Sequence, residues 1–570
     1  VGTAPSAPRH APAGEQLATS GWFVDVTVTS GLDFVHDAGL LPEKHLPETM
    51  GAGAALADLD ADGDTDIYLV QSGPMPGQAP PDPSKRNALY LNDGRGQLRE
   101  LGSAAGDGAH DGYGMGVALG DVEGDGDPDL LVTNLGPDVL LLNDGQARFA
   151  DATASSGYTD TRWTGAAAFF DADADGDLDL YVAAYVQVDL AHPLWCGRRE
   201  PGWRSACHPD SYPGLPDRFW RNDGDGHFTE ATEQAGLNLT PGPNGKGLGV
   251  LVLDVDDDFD LDLYVANDSV ENRLWINDGS GHFSDGTILS GTGVSGRGMT
   301  EAGMGVAQGD VDADGDLDLF VTNFDDESNT LYRNEGGGMF RDATSLSGLD
   351  SPSRLRVGFG TLLSDLDADG DLDIAVANGH IIDNIALYHD GKTHAQRALL
   401  FANRGDGRFD DLSALAGDLS AQPLVGRGLY DGDMDGDGDR DLLITTCGGA
   451  ARLLANTGGP PGARGGRSLL LAGLTPGTRV RALLVDGRRL DRLAGPAPSY
   501  FGQADPVLHL GLGDSALQAL QLTDILGRCT HLIFERPATG GRYQLQPDGS
   551  LAAASPDAPV ARPSPREPDR

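Results

Sequence analysis

The chain has 570 residues and a formal net charge of −47, from 87 Asp and Glu against 40 Lys and Arg. That length exceeds one compact core and suits a large repeat array with a second domain. The charge makes nucleic acid and anionic membrane surfaces poor partners, and no apolar run approaches the roughly 18 residues that would span a bilayer.

The chain begins at Val1 without a Met or an apolar signal core, which predicts a processed product whose export signal has been removed. Residues 1–20 are rich in Ala and Pro and read as a disordered linker. The first strand signal is FVDVTVTSG, from Phe23 to Gly31. A small-residue strand, GAGAALAD, then enters the acidic nonapeptide DLDADGDTD, and a second strand, DIYLV, leaves it. This strand–loop–strand unit recurs seven times, with loops starting at Asp58, Asp121, Asp171, Asp254, Asp310, Asp365 and Asp433.

Carboxylates two residues apart repel one another unless a cation lies between them. Seven in-phase copies therefore predict up to seven bound Ca²⁺ in a structural role. In each loop the side chains at positions 1, 3, 5 and 9 can converge with the backbone carbonyl of position 7. Position 3 is Asp60, Glu123, Asp173, Asp256, Asp312, Asp367 and Asp435. Position 5 is Asp62, Asp125, Asp175, Asp258, Asp314, Asp369 and Asp437. Position 7 is Asp64, Asp127, Asp177, Asp260, Asp316, Asp371 and Asp439. Position 9 is Asp66, Asp129, Asp179, Asp262, Asp318, Asp373 and Asp441. Position 6 is Gly63 in the first loop, where a sharp turn needs positive φ. The fourth loop has Phe259 there, which predicts the weakest or most distorted site.

A third signal, an apolar run ending in Asn-x-Gly, reads as a strand entering a tight hairpin. LYLNDGRG, FWRNDGDG and LYRNEGGG are examples. Fourth strands follow at Phe149, Phe228, Phe340 and Phe409. Four strands in each of seven repeats predict an all-β, seven-bladed β-propeller over residues 21–461. The hairpin at Asn456 has no fourth strand after it, whereas FVDVTVTSG aligns with FADATASSG without a gap. The N-terminal strand is thus expected to complete the last blade and close the ring, because an open ring leaves an unpaired edge.

Metal loops and Asn-Gly hairpins turn at one face, so the connection between second and third strands lies on the other. Its length, from position 9 to the hairpin Asn, is 14–16 residues in repeats 2, 4, 5 and 7 but 26, 43 and 30 in repeats 1, 3 and 6. Long loops on a rigid scaffold concentrate function. The repeat 3 insertion holds Cys196 and Cys207, which read as a disulfide; a zinc site from His192, Cys196, Cys207 and His208 is the alternative. The repeat 6 insertion holds His380, Asp383, His389, Asp390 and His394, read as exposed polar residues against an acid–base cluster. Arg404-Gly405-Asp406 lies in register with the other hairpins and reads as structural. Cys447 and Cys529 read as buried small hydrophobes. Alternating runs such as TRVRALLV and VLHLGLG place a small β domain at 462–548, and 549–570 reads as a disordered Pro-rich tail.

The repeats resemble the FG-GAP/VCBS repeats of integrin α-subunit propellers and of secreted bacterial proteins. The chain as a whole is similar to the cartilage acidic protein family through FVDVTVTSGLDFVHD, CHPDSYPGLPDRFWRNDGDGHF and SYFGQADPVLHLGLGD, the last resembling an ASPIC/UnbV-type C-terminal domain. Asp524-Ile525-Leu526-Gly527 stands where that domain has a Trp-Pro-Ser-Gly-like turn. The resemblance implies a secreted, periplasmic or cell-surface module for adhesion or scaffolding that binds a protein or glycan, with no catalytic residues assigned. The alternatives are a propeller-based carbohydrate-active enzyme or a scaffold in a biosynthetic complex.

Overall fold

The computed structural model describes residues 21–77, 82, 84–237, 245–460, 466–495, 497–554 and 558–563. The linker expected at 1–20 lies outside the described residues. Seven four-stranded antiparallel sheets are formed. Blade 1 is Ala54–Ala57, Asp66–Leu69, Ala88–Asn92 and Leu98–Glu100. Blades 2 to 6 repeat that order, their inner strands being Gly114–Gly120, Thr164–Phe170, Gly247–Leu253, Val306–Gly309 and Gly358–Ser364. Blade 7 is Gly426–Gly432, Asp441–Thr446 and Arg452–Asn456, completed by Phe23–Asp25 from the N-terminal end. Phe23 pairs with Asn456 and Asp25 with Leu454, so the ring closes as expected. Trp22 Nε1 also donates to Asn456 Oδ1 at 3.0 Å.

Small residues line the axis because the inner strands crowd there. A Cβ on Gly116 would sit 2.2 Å from the Gly165 carbonyl oxygen of the next blade. Larger side chains fill the spaces between blades, as with Leu251, Tyr264, Leu319 and Tyr332 between blades 4 and 5.

A nine-stranded sheet follows the ring, running from Arg467–Ala472 to Ala561–Pro563. Its core holds Leu469, Val480, Leu510, Leu520, Leu532 and Tyr543. The tail expected at 549–570 needs correction: Leu551–Ala553 and Ala561–Pro563 are strands of this sheet. Leu551 and Ala561 pair with each other and are buried, which the surrounding Ala/Pro-rich composition conceals. Cys529 also differs from expectation, being exposed at the start of Cys529–Ala538.

The C-terminal sheet docks on the metal-loop face. Its segment Ser499–Asp505 enters the mouth of the axial channel, where inner strands carry amides with no further strand to pair with. Val117 N donates to the Phe501 carbonyl at 3.0 Å, Leu119 N to Gln503 Oε1 at 2.6 Å, and Thr361 N to Ser499 Oγ at 3.0 Å. Gln503 pairs with the backbone of blade 1 on both sides, and the Tyr430 hydroxyl donates to the Tyr500 carbonyl. Tyr500 and Phe501 are fully buried. This is the part of the SYFGQAD motif that the sequence marks without explaining.

Phe259 and the departing turn at Asp524–Gly527 meet here. The Phe259 ring lies against Gly527. Asp257, two residues earlier, pairs with Arg479 of the C-terminal sheet. Phe259 keeps a φ of 74°, and its N–H still donates to Asp254 Oδ2, so the loop backbone is not distorted as expected. A left-handed non-Gly residue costs about 1–2 kcal/mol, and the inter-domain contact offsets it. Phe259→Gly is expected to relieve that cost while loosening the docked turn, seen as faster amide exchange at Leu526; unchanged exchange there would count against the contact.

Candidate metal centres

The seven loops share one backbone form. Position 6 has φ of 95° at Gly63, 98° at Gly126 and 107° at Gly370, and its N–H donates to the position 1 carboxylate in each of those loops. Position 4 is left-handed as well, with φ of 60° at Ala61, 58° at Ala174 and 67° at Asp257. Sequence reasoning missed this, since Ala gives no signal of positive φ. Two reversals within three residues fold each acidic stretch back on itself and bring alternate carboxylates together.

Ligand atoms of Asp58, Asp60 and Asp62 lie within 4.8 Å of one another, as do those of Asp171, Asp173 and Asp175, and of Asp365, Asp367 and Asp369. In loops 4 and 5 the sets are Asp254, Asp256 and Asp262, and Asp310, Asp312 and Asp318. In loop 2 the longer Glu123 carboxyl reaches Asp129. One carboxylate oxygen at position 3 is buried without a hydrogen-bond partner in six loops, at Asp60, Glu123, Asp173, Asp256, Asp312 and Asp367. Buried acceptors without donors are costly. Crowded oxygen donors of this kind suit a hard cation. In loops 3 and 5 an arginine of the same blade also pairs with position 3, Arg221 with Asp173 and Arg333 with Asp312. Position 7 side chains behave differently: the carboxylates of Asp64, Asp127, Asp177, Asp260 and Asp371 lie under hairpin glycines.

Position 9 ties the loop to the blade. Its carboxylate accepts the backbone N–H of the hairpin Asn at 2.8–2.9 Å in all seven blades, from Asp66 with Asn92 to Asp441 with Asn456. The same Asn then donates through Nδ2 to the position 2 carbonyl of the preceding blade's loop. Asn143 reaches Leu59 at 2.9 Å, Asn277 reaches Ala172 at 2.7 Å, and Asn92 reaches Met434 at 2.8 Å across the closure.

Burial pushes the position 9 carboxyls up, to about 7 at Asp66 and Asp179 and about 8 at Asp262 and Asp318. Burial first, then neighbouring carboxylates, pushes Asp365 up to about 8, with the Arg492 cation opposing. Carboxyls whose folded pKa is raised bind protons on folding, so their contribution is present below the ordinary value near 4 and is lost as pH rises toward 8. In EDTA the melting temperature is therefore expected to fall between pH 5 and pH 8. With calcium, which needs ionised ligands, the fall should shrink or reverse. A pH-independent melt in EDTA would contradict this.

On the opposite face, Cys196 and Cys207 form a disulfide, which removes them from the alternative zinc set. His192 instead pairs with Asp189, and His208 with Asp210. The repeat 6 residues divide: half-buried His394, whose carbonyl accepts the His380 N–H at 2.8 Å, lies near His380 and Asp383, whereas His389 and Asp390 stand apart, and His380 is buried and not exposed as expected. His380 is buried beside Asp325, Asp383 pairs with Lys44, and His389 and Asp390 are exposed. Arg404 pairs with Asp410 across its hairpin. The insertions of blades 3 and 6 meet over the axis: Asn384 Nδ2 donates to the carbonyls of Gly202 and Arg204, and the Tyr388 hydroxyl to that of Trp203. Sequence offered no signal for that contact, since it joins residues about 180 positions apart.

The FG-GAP-like repeat family matches residues 58–132, 121–182, 254–321 and 310–376, so these stretches are FG-GAP-like repeats. The chain is similar to cartilage acidic protein 1 of Xenopus tropicalis, 27% identical over 270 residues, covering 46% of this chain and 39% of that protein. The human protein of that name is 25% identical over 269 residues, covering 46% and 38%. The chain thus spans about two-fifths of the length of the curated relatives it matches. Among solved structures, an Agrocybe aegerita lectin that recognises non-reducing terminal N-acetylglucosamine aligns at a TM-score of 0.38 and 15% identity, covering 71% of this chain and 91% of that one.

Proposed function

We propose that this propeller of FG-GAP-like repeats is a secreted, calcium-bound recognition module that engages a protein or glycan partner through its insertion-bearing face. The metals are structural. In each loop the carboxylates of positions 1, 3, 5 and 9 and the carbonyl of position 7 hold one Ca²⁺, from Asp58, Asp60, Asp62, Asp64 and Asp66 in the first loop to Asp433, Asp435, Asp437, Asp439 and Asp441 in the last. An all-oxygen set on a flexible loop suits Ca²⁺ better than Mg²⁺, which demands near-ideal octahedral geometry. Similarity to cartilage acidic proteins supports an extracellular setting, as does the disulfide.

The observation that carries the recognition reading is the interlocked roof made by the two longest insertions. It is stapled by Cys196–Cys207 and leaves Trp195 43% exposed. Rigid, partly exposed Trp and Arg side chains are the usual anchors of protein interfaces. The cavity beneath the roof, between Met50, Tyr185, Asp268 and Phe324, is about 20 Å³, room for about one water. That cavity is too small to enclose a substrate.

Two measurements test this together. Calcium is expected to raise the melting temperature by about 10 °C or more over EDTA. Replacing residues 189–211 with a Gly-Ser linker is expected to abolish capture of partners on a panel of extracellular proteins and glycans while leaving the chain folded, with a melt that calcium still raises. Undiminished capture by that variant would remove the roof from the account.

A further inference from the structure

Three arginines of the stapled loop are held in an unusual way. The Arg199 and Arg204 guanidiniums lie 5.4 and 4.6 Å from the Trp195 ring centre, and that of Arg198 lies 4.3 Å from Trp203. Trp203 is itself fixed, edge to face with Tyr388 at 5.3 Å. The loop hairpin pairs Cys196 with Ser205 and Gly197 with Arg204, and Arg204 Nη2 donates to the Leu194 carbonyl at 3.3 Å. Stacking on a ring takes little of a guanidinium's donor capacity, because the N–H groups radiate in its plane.

Acidic residues outnumber basic ones 87 to 40 in this chain, yet among the described residues none of the three arginines forms an ion pair. Each ring face that carries a guanidinium is taken from a sugar that would stack there. A pre-stacked, planar fork fits a carboxylate, to which it gives two parallel hydrogen bonds. A densely charged polyanion would meet the field of a chain at −47. A short segment with a few carboxylates engages the loop at close range and avoids most of that repulsion.

We propose that Arg198, Arg199 and Arg204, pre-stacked on Trp195 and Trp203, form a carboxylate clamp for an acidic segment of a protein partner. The clamp rests on the reading that the insertion face recognises a partner, and it names the chemistry of that contact. Trp195 supplies the apolar floor beside the bound carboxylates, and the disulfide keeps the ordering cost of binding low.

The test uses the full chain in calcium. The probes are a fluorescein-labelled peptide of alternating Glu and Leu, its Gln-for-Glu counterpart, and a heparin-derived oligosaccharide. Saturable binding of the Glu peptide alone is expected. It should weaken about tenfold or more in the Arg198→Gln, Arg199→Gln, Arg204→Gln variant. The corresponding triple Lys variant should be weakened as well, because Lys keeps the charge and loses the planar fork. Equal melting temperatures and an intact disulfide show that these variants fold. Full binding by the Lys variant, tighter binding of the oligosaccharide, or no binding of the Glu peptide would each overturn the clamp. A panel partner lost on replacing 189–211 but retained by the triple Gln variant would overturn the clamp and leave the roof's recognition role standing.

Discussion

The architecture depends on one repeated interaction, the hairpin asparagine that joins each blade to the metal loop before it. Its backbone N–H is accepted by the position 9 carboxylate of its own loop, and its Nδ2 by the position 2 carbonyl of the preceding loop and the position 8 carbonyl of its own, as at Asn143 with Asp129, Leu59 and Pro128. Seven such residues form a closed circuit. Most of these bonds are buried, those of Asn403 being half-buried, and each contributes about 0.5–1.5 kcal/mol net, or somewhat more where the acceptor is charged. In loops 4 and 5 the carboxylate that anchors the asparagine, Asp262 or Asp318, also belongs to the cluster of like charges, so the circuit and the candidate cation site share a residue. A cation bound in the cluster would neutralise it and tighten the ring in one event, which is the basis of the structural role proposed for the metals.

The two faces are occupied differently. On the metal face the C-terminal sheet is a fixed occupant. Arg492 Nη2 donates to the Gly370 carbonyl at 2.9 Å, and Arg440 of loop 7 is buried between Asp431 and Asp505 at 3.0 and 3.4 Å. Breaking a buried pair of this kind by removing one partner typically costs about 3–5 kcal/mol. Together with Tyr500 and Phe501 in the channel mouth, these contacts cover the acidic-loop face and not the insertion face. Its cationic, aromatic loop stands out on so acidic a chain.

Much of the ring was legible in the sequence because it is local and repeated. The nonapeptide, the Asn-x-Gly hairpin and the FVDVTVTSG segment each carry their own turn and strand chemistry, and seven copies average out the exceptions. What escaped was long-range or masked by residue type. Ala at position 4 hides a left-handed backbone. Phe259 reads as a defect in its loop until Gly527, 268 residues later, is seen against its ring. Leu551 and Ala561 sit in a Pro-rich stretch whose composition suggests disorder, though three short pairings suffice to bury them. The Cys196–Cys207 pairing was legible from spacing, but the stacking of three arginines on two tryptophans depends on how the insertion of blade 6 braces it from across the ring.

The most direct measurement is amide hydrogen exchange at the seven hairpin asparagines, Asn92, Asn143, Asn222, Asn277, Asn334, Asn403 and Asn456, followed with calcium and with EDTA at one pH. If cations organise the clusters that hold these amides, protection should rise with calcium at all seven and rise together, as expected for a closed circuit. Protection that is equal in calcium and EDTA would contradict the account, because the position 9 carboxylates would then hold the ring without any cation.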